Sequence, residues 1–442
     1  MPEAAAALAL AIVVVWGALS GRLERTDLTA PIVFVAAGVA LDLTGILDLG
    51  DLTDLAGPIR LLAELTLVMV LFSDASRVRF AELRADTGLY LRLLLVGLPL
   101  AVLFGVGLAA VLLPGSPDIW LLILVGAALA PTDAALGVPV ITNPAVPSRI
   151  RRALNVESGL NDGIATPVVL AAIAGVAMAE QLARASIGGI LLSLGLGLLS
   201  GLVVGLGGGW LIRTARGRGW VDESYGGPTV LALALLAFVA AVAVDGNGFV
   251  AAFAGGLAFR NACGQRTERE VSYVEQSGGA LSLVVWLLFG AVVVPIVVDR
   301  LDWRSALYAV LSLTAVRMVA VVVALVGSGF RPATVAFVGW FGPRGLASVI
   351  FALIAVEELG PVVDGAVAFI GLTVLFSVIA HGVSAHPLAV RYGATGSPTH
   401  PAESAWLPDL PVRRTWAGRR PDHGGGSAGR GSGPHRRGWW PR

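Results

Sequence analysis

Nine consecutive residues, Asn155-Val156-Glu157-Ser158-Gly159-Leu160-Asn161-Asp162-Gly163, carry the chemistry most readily legible in this chain. They lie about a dozen residues inside an apolar segment that begins near Arg152. At about 1.5 Å per helical residue, Asp162 comes roughly 18 Å into a hydrocarbon layer about 30 Å thick. Two carboxylates, an amide and a hydroxyl at that depth are expensive unless they face water or a partner, and such groups mark ion or proton paths. Helical spacing stacks Glu157 over Asn161 and Ser158 over Asp162, making one oxygen-bearing face. The competing reading is a polar network that only ties helices together, but hydroxyls and amides would do that without two acids.

Other charges expected in mid-membrane are Asp133, Arg317 and Arg344. A lone charge there costs about 2.5–3.5 kcal/mol even on the mildest scale, so the five must be arranged among themselves. Glu157 is assigned to an arginine, Arg317 first and Arg344 as the alternative. Asp133 and Asp162 are left to share a mobile cation or proton. Asp162, the Ser158 hydroxyl, Asp133 and the Thr132 carbonyl are oxygen donors of the kind a hard monovalent cation prefers. Asn161 does not titrate and is expected to fix Asp133 or to bridge a broken helix.

Positioning these residues requires a membrane scaffold. Of 442 residues, 56% are hydrophobic and only 14% charged, which marks an all-α polytopic membrane protein. Thirteen candidate spans cover about 4–20, 29–47, 60–76, 88–113, 118–143, 150–178, 186–212, 228–245, 247–262, 277–299, 304–327, 332–357 and 363–387. All 31 basic residues are arginine. Loops after odd-numbered spans hold fifteen of them: Arg22, Arg25, Arg77, Arg79, Arg84, Arg149, Arg151, Arg152, Arg213, Arg216, Arg218, Arg260, Arg266, Arg269 and Arg331. Loops after even-numbered spans hold four, Arg60, Arg184, Arg300 and Arg304. The positive-inside rule then puts the N-terminus outside and the C-terminus in the cytoplasm. Arg22 and Arg25 follow the first apolar run, which therefore reads as a span and not a cleaved signal. Residues 1–394 form the transmembrane domain. Residues 395–442, rich in Pro, Gly and Arg and carrying Trp439-Trp440, are expected to be a disordered basic cytoplasmic tail.

Two spans carry breaks. The fifth contains Ala130-Pro131-Thr132-Asp133, and the twelfth contains Gly342-Pro343-Arg344-Gly345. Proline in mid-span removes a backbone donor and opens the helix. If spans one to six and eight to thirteen are the two halves, five and twelve correspond but run in opposite directions. Paired discontinuous helices in inverted-topology repeats point to a transporter site, where freed carbonyls bind a cation. Glu64, Asp42 and Asp74 lie nearer span ends and read as structural. Cys263 reads as a loop residue, and His381 and His386 as bystanders at the cytoplasmic end of the last span.

Glu157-Ser158-Gly159-Leu160-Asn161-Asp162 resembles the E-S-x-x-N-D signature of the NhaP/NHE branch of the monovalent cation–proton antiporter superfamily. Thr132-Asp133 matches that family's T-D break, although Ala134 follows where the family more often has proline. Gly342-Pro343-Arg344-Gly345 resembles its G-x-R-G element, and Arg317 falls where an arginine of span eleven is expected. The resemblance covers about residues 4–390. It implies a thirteen-span homodimer in the plasma membrane that exchanges Na⁺ for H⁺. It places Thr132, Asp133, Glu157, Ser158 and Asp162 around the ion, with Asn161, Arg317 and Arg344 in support. No cofactor beyond the transported ions and no nucleic-acid partner is expected. A K⁺/H⁺ antiporter and a Na⁺-coupled symporter are the rival transport readings. An enzyme is disfavoured, because Leu160-Asn161-Asp162 stands where an intramembrane aspartyl protease needs Gly-x-Gly-Asp.

Overall fold

The computed structural model describes residues 2–23, 29–45, 52–78, 86–115, 117–181, 186–264 and 267–395. Arg25, Arg79, Arg84, Arg184 and Arg266, and the tail after Thr395 with its expected disorder, lie outside the described residues.

The described secondary structure is all helical, as a chain in lipid requires when each backbone group must be satisfied within its own segment. In order it runs α1 (Pro2–Leu23), α2 (Ala30–Leu43), α3 (Leu52–Ala75) and α4 (Thr87–Leu112). There follow α5 (Ile119–Ala128), α6 (Val138–Ile141), α7 (Ser148–Ala179), α8 (Ile187–Gly217) and α9 (Glu223–Val242). Then come α10 (Gly248–Cys263), α11 (Glu268–Asp299) and α12 (Trp303–Ala324). The series closes with α13 (Pro332–Trp340), α14 (Leu346–Leu359) and α15 (Asp364–Thr395). Each of the thirteen expected spans has its helix. Span five is divided into α5 and α6, and span twelve into α13 and α14. The chain is a multi-pass membrane protein.

Three long helices widen locally into π turns, at Leu93–Gly97, Phe289–Val293 and Ser312–Val316. Pro99 and Pro295 follow the first two, where a missing N–H already disturbs the ladder. The third ends immediately before Arg317 and re-aims the side chains after it.

One apolar core runs through the molecule, with Leu67 and Leu71 of α3, Leu124 of α5, Val169 of α7, Ala252 of α10 and Phe351 of α14 all buried. α7 lies within it, packed against α3, α5, α10 and α14. At one end of α3, Arg60 bridges Glu64 at 2.8 Å, Glu357 at 2.9 Å and Glu358 at 3.0 Å, tying α3 to α14. Nearer its other end, Arg77 bridges Glu275 at 2.5 Å and Asp74 at 3.5 Å. Glu64 and Asp74 are thus both engaged in ion pairs. The Arg60 side chain is 40% exposed, so solvent screens it. Arg60→Ala should cost about 1 kcal/mol or less. The loss should shrink in high salt, and a salt-independent fall in melting temperature would assign Arg60 a packing role.

Cys263 is not a loop residue. It ends α10 and is buried against Phe259 and Val271.

Candidate ion-binding site

α7 runs unbroken through the middle of the protein and buries its polar face. Glu157, Ser158, Asn161, Asp162 and Thr166 are all buried on it. The Thr166 hydroxyl turns back to the Asp162 carbonyl at 2.6 Å. Pro167, one residue on, has no N–H to give the Gly163 carbonyl, so α7 carries its own irregularity just past the acid.

The two breaks meet beside this face. α5 stops at Ala128 and α13 at Trp340, and residues 341–345 are non-helical until α14 begins at Leu346. The segments are bonded reciprocally. The Asp133 N–H donates to the Pro343 carbonyl at 2.8 Å. Asp133 Oδ2 accepts the Leu346 N–H at 2.8 Å, and Oδ1 accepts the Ala135 N–H at 2.7 Å. In the other direction, Arg344 Nη1 donates to the carbonyls of Ala130 at 2.8 Å and Pro131 at 2.9 Å. Ser348 Oγ donates to the Ala128 carbonyl at 2.6 Å. An acid thus sits at the positive start of α14 and an arginine at the negative end of α5, each complementing a half-helix dipole.

This differs from the sequence reading in one respect. Three of the carbonyls freed by the fifth-span break, those of Ala128, Ala130 and Pro131, take donors from Ser348 and Arg344, and the Thr132 carbonyl named above is not one of them. The reason is that orphaned backbone groups in a dry interior must be satisfied whether or not an ion is bound. Asp133 likewise spends one lone pair of each oxygen on backbone N–H groups, with others left for a cation. The approach is close enough to need glycine. A Cβ at Gly345 would overlap Asp133 Oδ2, and one at Gly342 would lie 2.5 Å from Arg317 Nε.

Across the breaks, Thr132 meets α7. Its Oγ1 lies 2.9 Å from Ser158 Oγ and accepts Asn161 Nδ2 at 2.7 Å. Asn161 therefore bridges to the broken helix at Thr132 and not at Asp133. Its Oδ1 is buried with no donor among the described residues, an oxygen suited to a cation's surroundings. Asn161→Ala removes the donor that orients Thr132, and the cation KM should rise about tenfold. Steady-state uptake in vesicles would read this, and an unchanged KM would release Thr132 from the site. Asp162 stands one turn beyond Ser158 on the same face, 7% exposed. Asp74, Arg77, Asn155 and Ala134 line a small cavity reaching the neighbourhood of Asp133.

Glu157 points to Arg317 of α12, with Oε1 2.5 Å from Nη1 and Oε2 3.0 Å from Nη2, a two-pronged pair 2–3% exposed. Arg344, the alternative partner, is engaged at Ala130 and Pro131 as described. Seven of the eight residues singled out in the sequence thus fall into three groups: Thr132 with Ser158 and Asn161, Glu157 with Arg317, and Asp133 with Arg344 across the two breaks. Asp162 joins them by its place on α7.

A family model for the transmembrane part of sodium/hydrogen exchangers matches residues 8–391. The chain belongs to the sodium/hydrogen exchanger family. Among relatives of this chain is the K⁺/H⁺ antiporter NhaP2 of Shewanella sp. (strain MR-4), 27% identical over 388 residues, 86% of this chain and 64% of that protein. NhaP2 of Shewanella oneidensis is 26% identical over 342 residues, 76% of this chain and 58% of the relative. The chain therefore spans 58–64% of the length of these two relatives. Its fold matches the sodium proton antiporter MjNhaP1 of Methanocaldococcus jannaschii at pH 8, with a TM-score of 0.71 and 18% identity, over 88% of this chain and 99% of that one.

Three polar residues where the two interrupted spans cross escape the sequence reading: Ser348, Ser377 and His381. Ser348 lies four residues beyond Arg344, in the first turn of α14, and that nearness to the break is the signal that points to it. His381, a bystander by its place in the sequence, is buried and bonded to the end of α13.

Proposed function

We propose that this chain is a secondary transporter that exchanges a monovalent cation, Na⁺ or K⁺, for a proton by alternating access. The observation carrying this reading is the buried oxygen set that Thr132 of the fifth-span break makes with Ser158 and Asn161 of α7, where two interrupted spans meet. Asp162 binds either the cation or the proton. Competition for one carboxylate couples the two fluxes, because each ligand shifts the same conformational equilibrium. Asp133, Thr132, Ser158 and Glu157 surround the ion, while Asn161, Arg317 and Arg344 hold that surround in place. The protein works as a homodimer in the plasma membrane, N-terminus outside, and makes or breaks no covalent bond. Hydroxyl, amide and carboxylate oxygens accept Na⁺, Li⁺ and K⁺ alike, so the names of the Shewanella relatives keep K⁺ beside Na⁺.

Acid-loaded proteoliposomes with a pH dye inside test this. Adding Na⁺ or K⁺ alone should alkalinise the lumen, and a requirement for another substrate would favour a symporter. With one titrating acid beside Asn161, exchange is one cation per proton. An imposed membrane potential should then not drive uptake, and clear potential-driven transport would contradict the stoichiometry.

A further inference from the structure

α15 engages the twelfth-span break at both of its ends. The carbonyl of Trp340, the last residue of α13, lies 2.9 Å from His381 Nε2. Four residues on, the Arg344 N–H donates to Ser377 Oγ at 2.6 Å. Ser377 and His381 are one turn apart on α15, with Ser377 Oγ 3.2 Å from His381 Nδ1. The Trp340 indole N–H donates to Ser384 Oγ at 3.0 Å, and the Trp340 and His381 rings lie 5.3 Å apart between centroids. Ser377 and His381 are 0% and 1% exposed.

The donors set the directions. A carbonyl only accepts, so the Trp340 contact is a hydrogen bond in those states of His381 that carry a proton on Nε2. A backbone N–H only donates, so Ser377 Oγ accepts from Arg344 and keeps its own hydrogen for His381 Nδ1. Nδ1 is also 2.9 Å from the Ser377 carbonyl, a bond that would need a proton on Nδ1. The Nε2–H bond to Trp340 is common to the Nε2–H tautomer and the doubly protonated ring. In those states α13 ends on an imidazole donor as α5 ends on Arg344 and Ser348.

Between these anchors lie the two groups that reach the fifth-span break. The Pro343 carbonyl takes the Asp133 N–H, and the Arg344 guanidinium holds Ala130 and Pro131. We infer that His381 and Ser377 are positioning residues for the ion site: they clamp residues 340–344 and, through Pro343 and Arg344, set where Thr132 and Asp133 stand. The inference rests on the exchanger reading, and neither residue touches the ion.

The test compares His381→Gln, which keeps an N–H donor at similar reach, with His381→Met, which fills similar space without one, and with Ser377→Ala. Each is measured in the full chain in proteoliposomes for cation KM and Vmax, beside melting of the purified protein. H381M and S377A should raise the cation KM about tenfold, the worth of one lost buried hydrogen bond, with Vmax changed less. H381Q should restore the wild-type KM. A wild-type KM in H381M, or equal KM and melting losses in H381Q and H381M, would overturn the clamp. Nitrogen-15 NMR of histidine-labelled wild-type protein, with H381Q assigning the signal, supplies a readout independent of transport. It should show a proton on Nε2, and a ring protonated only on Nδ1 would also overturn the clamp. Wild-type protein that exchanges no cation would remove the exchanger reading instead, while the NMR would still decide the clamp.

Discussion

Asp162→Asn should reduce cation–proton exchange by more than about 100-fold while leaving a folded, correctly inserted protein. The side chains are nearly equal in size, so the packing of α7 against α3, α5, α10 and α14 is kept. What is lost is the ability to hold a charge and to release a proton, and the coupling argued above has no other carrier. Removing a charge from a buried position also removes its desolvation cost, so the melting temperature should not fall sharply. Dye-monitored exchange, read beside size-exclusion profile and melting, separates the two effects. Exchange retained above about a tenth of the wild-type rate, in a folded variant, would take the carrier role away from Asp162.

Breaking the Glu157 and Arg317 pair should have the largest effect on stability. Both side chains are buried and joined by two bonds across α7 and α12. Arg317→Ala leaves the Glu157 carboxylate in a dry site without its counter-charge, at about 3–5 kcal/mol. Glu157→Gln is milder, because an amide oxygen still accepts one N–H, but it leaves the guanidinium uncompensated. Replacing both with apolar residues of similar volume should recover much of the loss, since neither charge is then buried. A double-mutant cycle on melting free energies reads the coupling. Strict additivity would show that the pair does not act as a unit, and an exchanged pair, Glu157→Arg with Arg317→Glu, that restored no stability would point the same way.

Much of this architecture is legible in the sequence because lipid removes alternatives. An apolar run in a bilayer must be helical, so counting runs locates all thirteen spans, and two prolines with adjacent charges locate both breaks. The polar face of α7 follows from helical period alone. The reciprocal bonding of the breaks is not legible. Arg344 and Ser348 lie more than 200 residues from the carbonyls they satisfy. Nothing local distinguishes a freed carbonyl that will meet a cation from one that will meet an arginine. The part played by His381 is hidden for the same reason: its place near the span end does not report that Trp340 lies against it.

Composition and periodicity, then, determined that the chain crosses a membrane many times, that its helices break twice in register, and that acids lie on one face of α7. Those are consequences of short-range physics, helix geometry and the cost of polar groups in hydrocarbon. The tertiary structure decided which arginine neutralises Glu157, that Asn161 holds Thr132 instead of Asp133, and that Asp133 caps α14 while Arg344 closes α5. Each of these is a choice among partners of equal chemistry, and only the packing of distant helices brings one of them within hydrogen-bond reach.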